Sequence, residues 1–515
     1  MNDTRVNGSG TGGAEGETGG AGAAGGIAAG VTGETGAVAA VATGAGATVG
    51  AVGPSVADGA DGARAADGAG SAGGTGRAGG AVGAVHAGRL TLGQGTAMYV
   101  GAVLGTGVIA LPALAARAAG PASLLAWALL VVMSAPLAAT FAALGARHPD
   151  AGGVSTYARL AFGGRAAAVV GWCFYFAVPP GAAAAALFGG AYVAEAAGGG
   201  RGTVLLTAAL LMVVVTAANA VGVQASGRLQ FALAGLLVVL LLVSVALSLP
   251  HARSGNLEPF APHGWTAVGS AAALLVWSFA GWEAITHLAA EFRRPARDLP
   301  RATGAAVGIV GVLYLLVAFA IIAVLGPGAA DSAAPLGELM ARGLGGGARW
   351  LAAGAALLLT LGAMNAYYAG AAKLGSALGR DGALPSWLGR GSVAGEVPRR
   401  SLAANSALSF LCLAAVGATD VGPKPLVLLT TGSFVTVYAI GVAAALRLLP
   451  RRTAGWYAAA VALVSVAALL LMSGRYLLWP LVVTGASLLY LRRRRAAAPV
   501  AAPDGTAEPQ PAETA

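Results

Sequence analysis

Glu283 is an acid set inside an apolar segment of membrane length, Ala267 to Phe292, just after the interruption Phe279-Ala280-Gly281 and the ring of Trp282. Dehydration disfavours charge on a carboxyl group, so an acid at such depth is a candidate for proton exchange. Its bland alternative is a neutral acid hydrogen-bonded between helices. A second apolar segment, Leu92 to Ala119, is interrupted by Gly105-Thr106-Gly107. A helix that unwinds in apolar surroundings exposes N–H and C=O groups that lipid cannot satisfy, and these must face protein, water or a ligand. The N–H groups of Gly105, Thr106 and Gly107 would open a half-helix whose positive end favours an anion such as a carboxylate. The carbonyls freed around Trp277 and Ser278 would suit an ammonium, with Phe279 or Trp282 covering a side chain. A zwitterion fits the pair better than a simple anion or cation. Small residues are also common at close helix contacts, so one Gly-x-Gly alone reads as packing. Two such breaks in matching places point instead to a secondary-transporter site.

Other polar residues carry less. Glu283, His287 and Glu291 recur every four residues on one helical face, but the remaining histidines offer no further ligands, so no metal or other cofactor is expected. Asn365, Tyr367 and Tyr368, like Trp172 and Tyr175, could face the site or pack. Lys373 could snorkel or balance an acid. Cys173 and Cys412 sit in apolar runs and read as small buried hydrophobes.

The elements that must hold these residues follow from composition. The chain is 57% hydrophobic and 10% charged, where soluble domains carry about 25% charged residues; this is a polytopic membrane composition. Apolar stretches of about 20 residues predict twelve helices, near 93–118, 121–146, 166–195, 203–220, 228–249, 267–292, 304–326, 349–378, 401–418, 422–448, 454–472 and 474–491. Residues 1–88 are Gly/Ala-rich with almost no large apolar side chain, and 496–515 are Ala/Pro-rich; both are expected to be disordered tails. The transporter domain is expected at 89–495.

The net charge of +10 is topological. With the N-terminus inside, the cytoplasmic connections collect Arg293, Arg294, Arg297 and Arg301, then Arg380, Arg390, Arg399 and Arg400, then Arg447, Arg451 and Arg452, and finally Arg492 to Arg495. The other side holds only scattered cations such as Arg253 and Lys424. The positive-inside bias places both termini in the cytoplasm of a plasma-membrane protein, in contact with membrane lipid, and removes the case for nucleic acid. Helices one to five (93–249) and six to ten (267–448) form two blocks. Their odd size inverts the second relative to the first, and each block is led by a broken helix. Two extra helices follow at 454–491.

Four stretches together resemble the amino acid–polyamine–organocation (APC) transporter superfamily, across nearly all of residues 90 to 491. They are Gly95 to Pro121, Arg147 to Trp172, Val276 to Ala302, and Gly379 to Pro385 followed by Val-Pro-Arg-Arg-Ser-Leu. Within it the chain is most similar to the bacterial methionine/branched-chain amino-acid exporter type. The resemblance implies a LeuT-like fold, a 5+5 inverted repeat plus two C-terminal helices. It implies that Gly105 to Gly107 hold a substrate carboxylate, that Trp277 matches a gating aromatic, and that Glu283 matches an acidic position linked to proton sensing. Trp282 departs from the smaller aliphatic residue many members carry, which would narrow the pocket. The substrate-binding set expected is Gly105, Thr106, Gly107, Trp277, Ser278, Phe279, Ala280, Gly281 and Trp282, with Glu283 coupling protons. The expected function is alternating-access transport of an amino acid, as proton-linked efflux of neutral aliphatic substrates. Uptake or exchange by the same fold is the alternative, and a non-transporting amino-acid sensor is a different class. The five scattered histidines offer no catalytic cluster, so no enzyme is expected.

Overall fold

The computed structural model describes residues 91–149, 153–222, 227–283, 289, 292–390, 397–419 and 421–497. The expected N-terminal tail, most of the C-terminal one, and His287 and Glu291 of the acidic-histidine face lie outside the described residues.

The chain is all-α. The first expected segment forms α1 (Leu92–Leu104) and α2 (Gly107–Ala119), separated at the anticipated break. Then follow α3 (Ser123–Arg147), α4 (Gly153–Phe162), α5 (Gly164–Ala197), α6 (Arg201–Ala220) and α7 (Gly227–Ser248). The second broken segment begins with α8 (Ala267–Leu275), tightens into a 3-10 turn over Val276–Phe279 and leaves helical geometry at Ala280. Beyond it lie α9 (Pro295–Leu325), α10 (Pro335–Leu344), α11 (Ala348–Arg380), α12 (Arg399–Ala418), α13 (Lys424–Leu448), α14 (Ala454–Ser473) and α15 (Leu478–Ala497).

Among the described residues, eight stretches are long and apolar enough to cross a membrane. Three of these contain a positive-φ glycine, Gly120 (φ 60), Gly326 (φ 57) or Gly474 (φ 52). Conversely, the breaks divide other apolar segments into pieces too short to span alone. α4 and α10 were not expected, because each has only 10 residues. α9 starts nine residues earlier than its apolar run suggests (304 − 295): Pro295 suits a first helical turn, and Asp298 favours its positive end.

α5 is the central element, touching α4, α6, α11, α12, α13 and α15. Its alanines and glycines let neighbours approach closely: a Cβ on Gly171 would lie 2.7 Å from the Leu378 side chain of α11. Large apolar side chains such as Val132, Leu206, Val464 and Leu471 point outward from α3, α6 and α14, as a lipid-facing surface requires. Three further contacts matter for the site: α2 lies against α8, α3 against α9 and α5 against α11.

Candidate functional site where the two breaks meet

Gly105 ends α1 at φ 28, ψ −148, and Gly281 turns the second segment at φ 121; these are conformations that side chains resist. The two breaks interlock. A Cβ on Gly107 would sit 2.5 Å from Ser278 Oγ and 2.9 Å from Ser278 Cα. A Cβ on Gly281 would lie 3.2 Å from the Ala102 carbonyl oxygen. Buried Thr106 makes no side-chain cap to α2.

An unwound helix leaves carbonyls without ladder partners, and one phenol serves both breaks. The Tyr314 hydroxyl of α9 lies 2.7 Å from the Val103 carbonyl, 3.3 Å from that of Leu104 and 2.8 Å from that of Ser278. With one proton it donates to one of them at a time. Phe279 packs against the same phenol, ring centroids 5.2 Å apart, and against Trp127.

Beside the second break is a narrow cavity lined by Ala177, Val178, Gly181 and Ala182 of α5, Trp277, Ala280, Tyr367 of α11, and Thr430 and Phe434 of α13. Its free space is about 10 Å³, room for roughly one water. No lining side chain is charged, and the walls are small or aromatic with two hydroxyls. Next to the cavity, Pro179 and Pro180 of α5 lack the N–H groups that would meet the Tyr175 and Phe176 carbonyls in the helical ladder. Asn405 Nδ2 donates to the Tyr175 carbonyl at 3.4 Å, taking the place of the missing Pro179 donor. The Thr430 hydroxyl donates to the Ala177 carbonyl at 3.1 Å.

Glu283 is 5% exposed. Its Oε2 accepts from the Gly281 N–H at 3.0 Å and from the Tyr438 hydroxyl at 2.6 Å. The acid therefore folds back onto its own break and ties it to α13. Thr430, Phe434 and Tyr438 are spaced by four, so one face of α13 serves the cavity and the carboxyl alike.

The remaining expected residues divide. Trp277 and Ala280 line the cavity, Trp277 meeting Phe188 edge-on at 6.5 Å between centroids. Ser278, Gly107 and Gly281 form the contact between the breaks. Trp282 is fully buried against Tyr99, centroids 5.7 Å apart, away from the cavity lining. Tyr367 faces the cavity, whereas Asn365 turns to α6, where it accepts from Asn219 Nδ2 at 2.7 Å. Trp172 donates to the Ala383 carbonyl at 2.6 Å, and the Tyr175 hydroxyl donates to the Ser401 carbonyl at 3.3 Å. Tyr314, Tyr438 and the α5 and α13 lining were not anticipated. Their signals were present: paired prolines inside an apolar span, and Thr-Phe-Tyr at helical spacing.

Residues 90–502 match the amino acid permease family. The chain belongs to this family, within the APC superfamily. The permease is therefore a multi-pass membrane protein of a family that transports amino acids. It is 35% identical over 401 residues to an uncharacterized amino acid permease of Bacillus subtilis, YecA, covering 78% of this chain and 95% of that one. It is 30% identical over 370 residues to the L-methionine/branched-chain amino acid exporter YjeH of Escherichia coli, covering 70% and 87%. It is 24% identical over 240 residues to a branched-chain amino acid permease of Bacillus subtilis, BcaP, covering 43% and 52%.

Proposed function

We propose that the permease exports neutral aliphatic amino acids of the methionine and branched-chain type across the plasma membrane, by alternating access and against proton entry. The observation that carries this reading is the uncharged cavity, with small and aromatic walls, beside the second helix break. A neutral side chain suits those walls, while a charged one would be left without a partner. The α-carboxylate goes to the N–H groups of Gly105, Thr106 and Gly107. The ammonium goes to the carbonyls near Ser278 and Val103, in competition with the Tyr314 hydroxyl. Trp277 closes the cavity at one edge. Phe279 and Trp282 support the breaks from behind.

In the proposed architecture twelve helices cross the membrane, both termini are cytoplasmic, and the domain spans 89–495 between two tails. The repeats are 93–249 and 267–448, inverted as in LeuT-type folds, with 454–491 added. Supporting this, α2 against α8, α3 against α9 and α5 against α11 pair helices that hold equivalent places in the two repeats. Glu283 is the proton-coupling group. As a carboxylate it holds both the Gly281 N–H and the Tyr438 hydroxyl; neutralised, it accepts less strongly and loosens α13 from the second break. Free space of about 10 Å³ is far below the size of an amino acid, so the conformation described is a closed one and substrate entry requires the helices to part.

The test is purified permease in liposomes loaded with labelled methionine or leucine, under an imposed pH gradient. Movement of label against proton entry is expected. Movement only with proton entry would reassign the protein to uptake. No movement under any gradient would remove the substrate class.

A further inference from the structure

α10 carries its apolar residues Leu336, Leu339 and Met340 inward and packs against α2, α7, α9 and α11. Its start is chemically incomplete. The first N–H groups of a helix lack ladder partners and are normally met by a Ser, Thr, Asp or Asn at the N-cap. Here the N-cap is Ala334, which has no side chain able to do this.

The missing acceptor comes from another helix. Tyr192, near the end of α5, is buried, and its hydroxyl oxygen accepts from the Leu336 N–H at 3.1 Å. The same hydroxyl donates its proton to the Ile109 carbonyl of α2 at 2.6 Å. Ile109 is next to Val108, whose carbonyl has no ladder donor because Pro112 lacks an N–H. A chain from N–H through O–H to C=O is thereby formed, in which each bond polarises the next. One phenol links α10, α5 and the half-helix that begins at the first break. A second tie runs parallel to it: Arg117 Nε of α2 donates to the Ala330 carbonyl at 2.8 Å, just before α10.

We propose that Tyr192 is the positioning residue that latches α10 onto α2 in the closed conformation, and that both of its hydrogen bonds break when the cavity opens toward the α10 side. The proposal rests on the alternating-access reading for its purpose. α2 can swing away from α5 only by releasing Ile109 from Tyr192. α10 can lift only by leaving its Leu336 N–H without the acceptor that caps it. One hydroxyl therefore makes the two motions a single event.

The experiment uses full-length permease in liposomes, with Cys173 and Cys412 replaced by alanine and Ala182→Cys placed in the cavity wall. Reaction with a membrane-impermeant thiol reagent added on the α10 side reports opening. Tyr192→Phe keeps the ring and deletes both hydrogen bonds. It is expected to speed labelling about fivefold or more, the population shift that follows from losing roughly 1 kcal/mol or more of closed-state bonding. Amide exchange over residues 335–344 is expected to accelerate in the same variant. Arg117→Gln, which cuts the parallel tie at an exposed site, is expected to act in the same direction and serves if Tyr192→Phe does not reach the membrane. Unchanged labelling overturns the proposal, and so does faster exchange in α10 without faster labelling, which reduces Tyr192 to a helix cap. Labelling needs no substrate, so a parent protein that moves no amino acid would defeat the transport reading and leave the latch separately measurable.

Discussion

The Tyr438 hydroxyl donates to Glu283 across 2.6 Å, joining residues 155 positions apart in the chain and fastening α13 to the second helix break. The carboxyl group is therefore part of a closure. In the proposed mechanism, charge on Glu283 holds this closure and a proton weakens it.

Glu283→Gln fixes the neutral form. The expected outcome is transport whose rate no longer varies with pH, with substrate binding partly retained. Initial rates of labelled methionine movement across a pH series check this. A wild-type pH profile in the variant would remove the proton role. Tyr438→Phe deletes a hydrogen bond to a charged group, worth about 1.5–3 kcal/mol, and is expected to shift the pH profile without abolishing it.

Tyr314→Phe leaves the carbonyls of Val103, Leu104 and Ser278 without their shared donor. An unmet buried polar group costs about 1–3 kcal/mol, so a lower melting temperature is expected. Turnover should fall about tenfold or more, as the breaks lose their common anchor. Thermal unfolding of detergent-purified protein and liposome rates together check both parts.

Gly107→Ala places a methyl group 2.5 Å from Ser278 Oγ and 2.9 Å from Ser278 Cα. The hydroxyl can turn aside; the backbone carbon of a tight break cannot. Overpacking of this kind costs about 1–3 kcal/mol, and forcing the breaks apart is expected to abolish transport while the protein still inserts and elutes as a single species.

Gly181→Ala brings a methyl group to 3.3 Å from Thr430 and 3.4 Å from Trp277, which is tight but tolerable packing. The cavity narrows at the wall proposed to take the substrate side chain. Methionine and leucine are expected to lose affinity by about tenfold, since a methylene in an apolar pocket is worth about 1–3 kcal/mol, with alanine affected less. Competition between labelled leucine and unlabelled alanine reads the change directly.

How much of this was legible in the chain itself divides along physical lines. Apolar runs of membrane length, their interruption at Gly105-Thr106-Gly107 and Phe279-Ala280-Gly281, and the depth of Glu283 are local properties, fixed by hydropathy and by the conformational freedom of glycine. They were enough to place the breaks to the residue, while the family was legible from the resemblance of four longer stretches, Gly95 to Pro121, Arg147 to Trp172, Val276 to Ala302 and Gly379 to Pro385. α4 and α10 escaped because they are two-faced helices of ten residues, which make no apolar run of membrane length. Asn365 and Tyr367 sit two positions apart on α11, and nothing in their spacing tells which one faces the cavity; packing of α6 on one side and α5 on the other decides that. Tyr314, Tyr438 and Tyr192 each act through a hydroxyl aimed at a group far along the chain. Such pairings depend on how helices cross, which local sequence does not encode. The sequence determined where this protein's helices must break, because an unwound backbone needs particular residues there. Only the tertiary structure decided which side chains meet the groups that those breaks expose, because buried polar atoms take whatever partner the packing delivers.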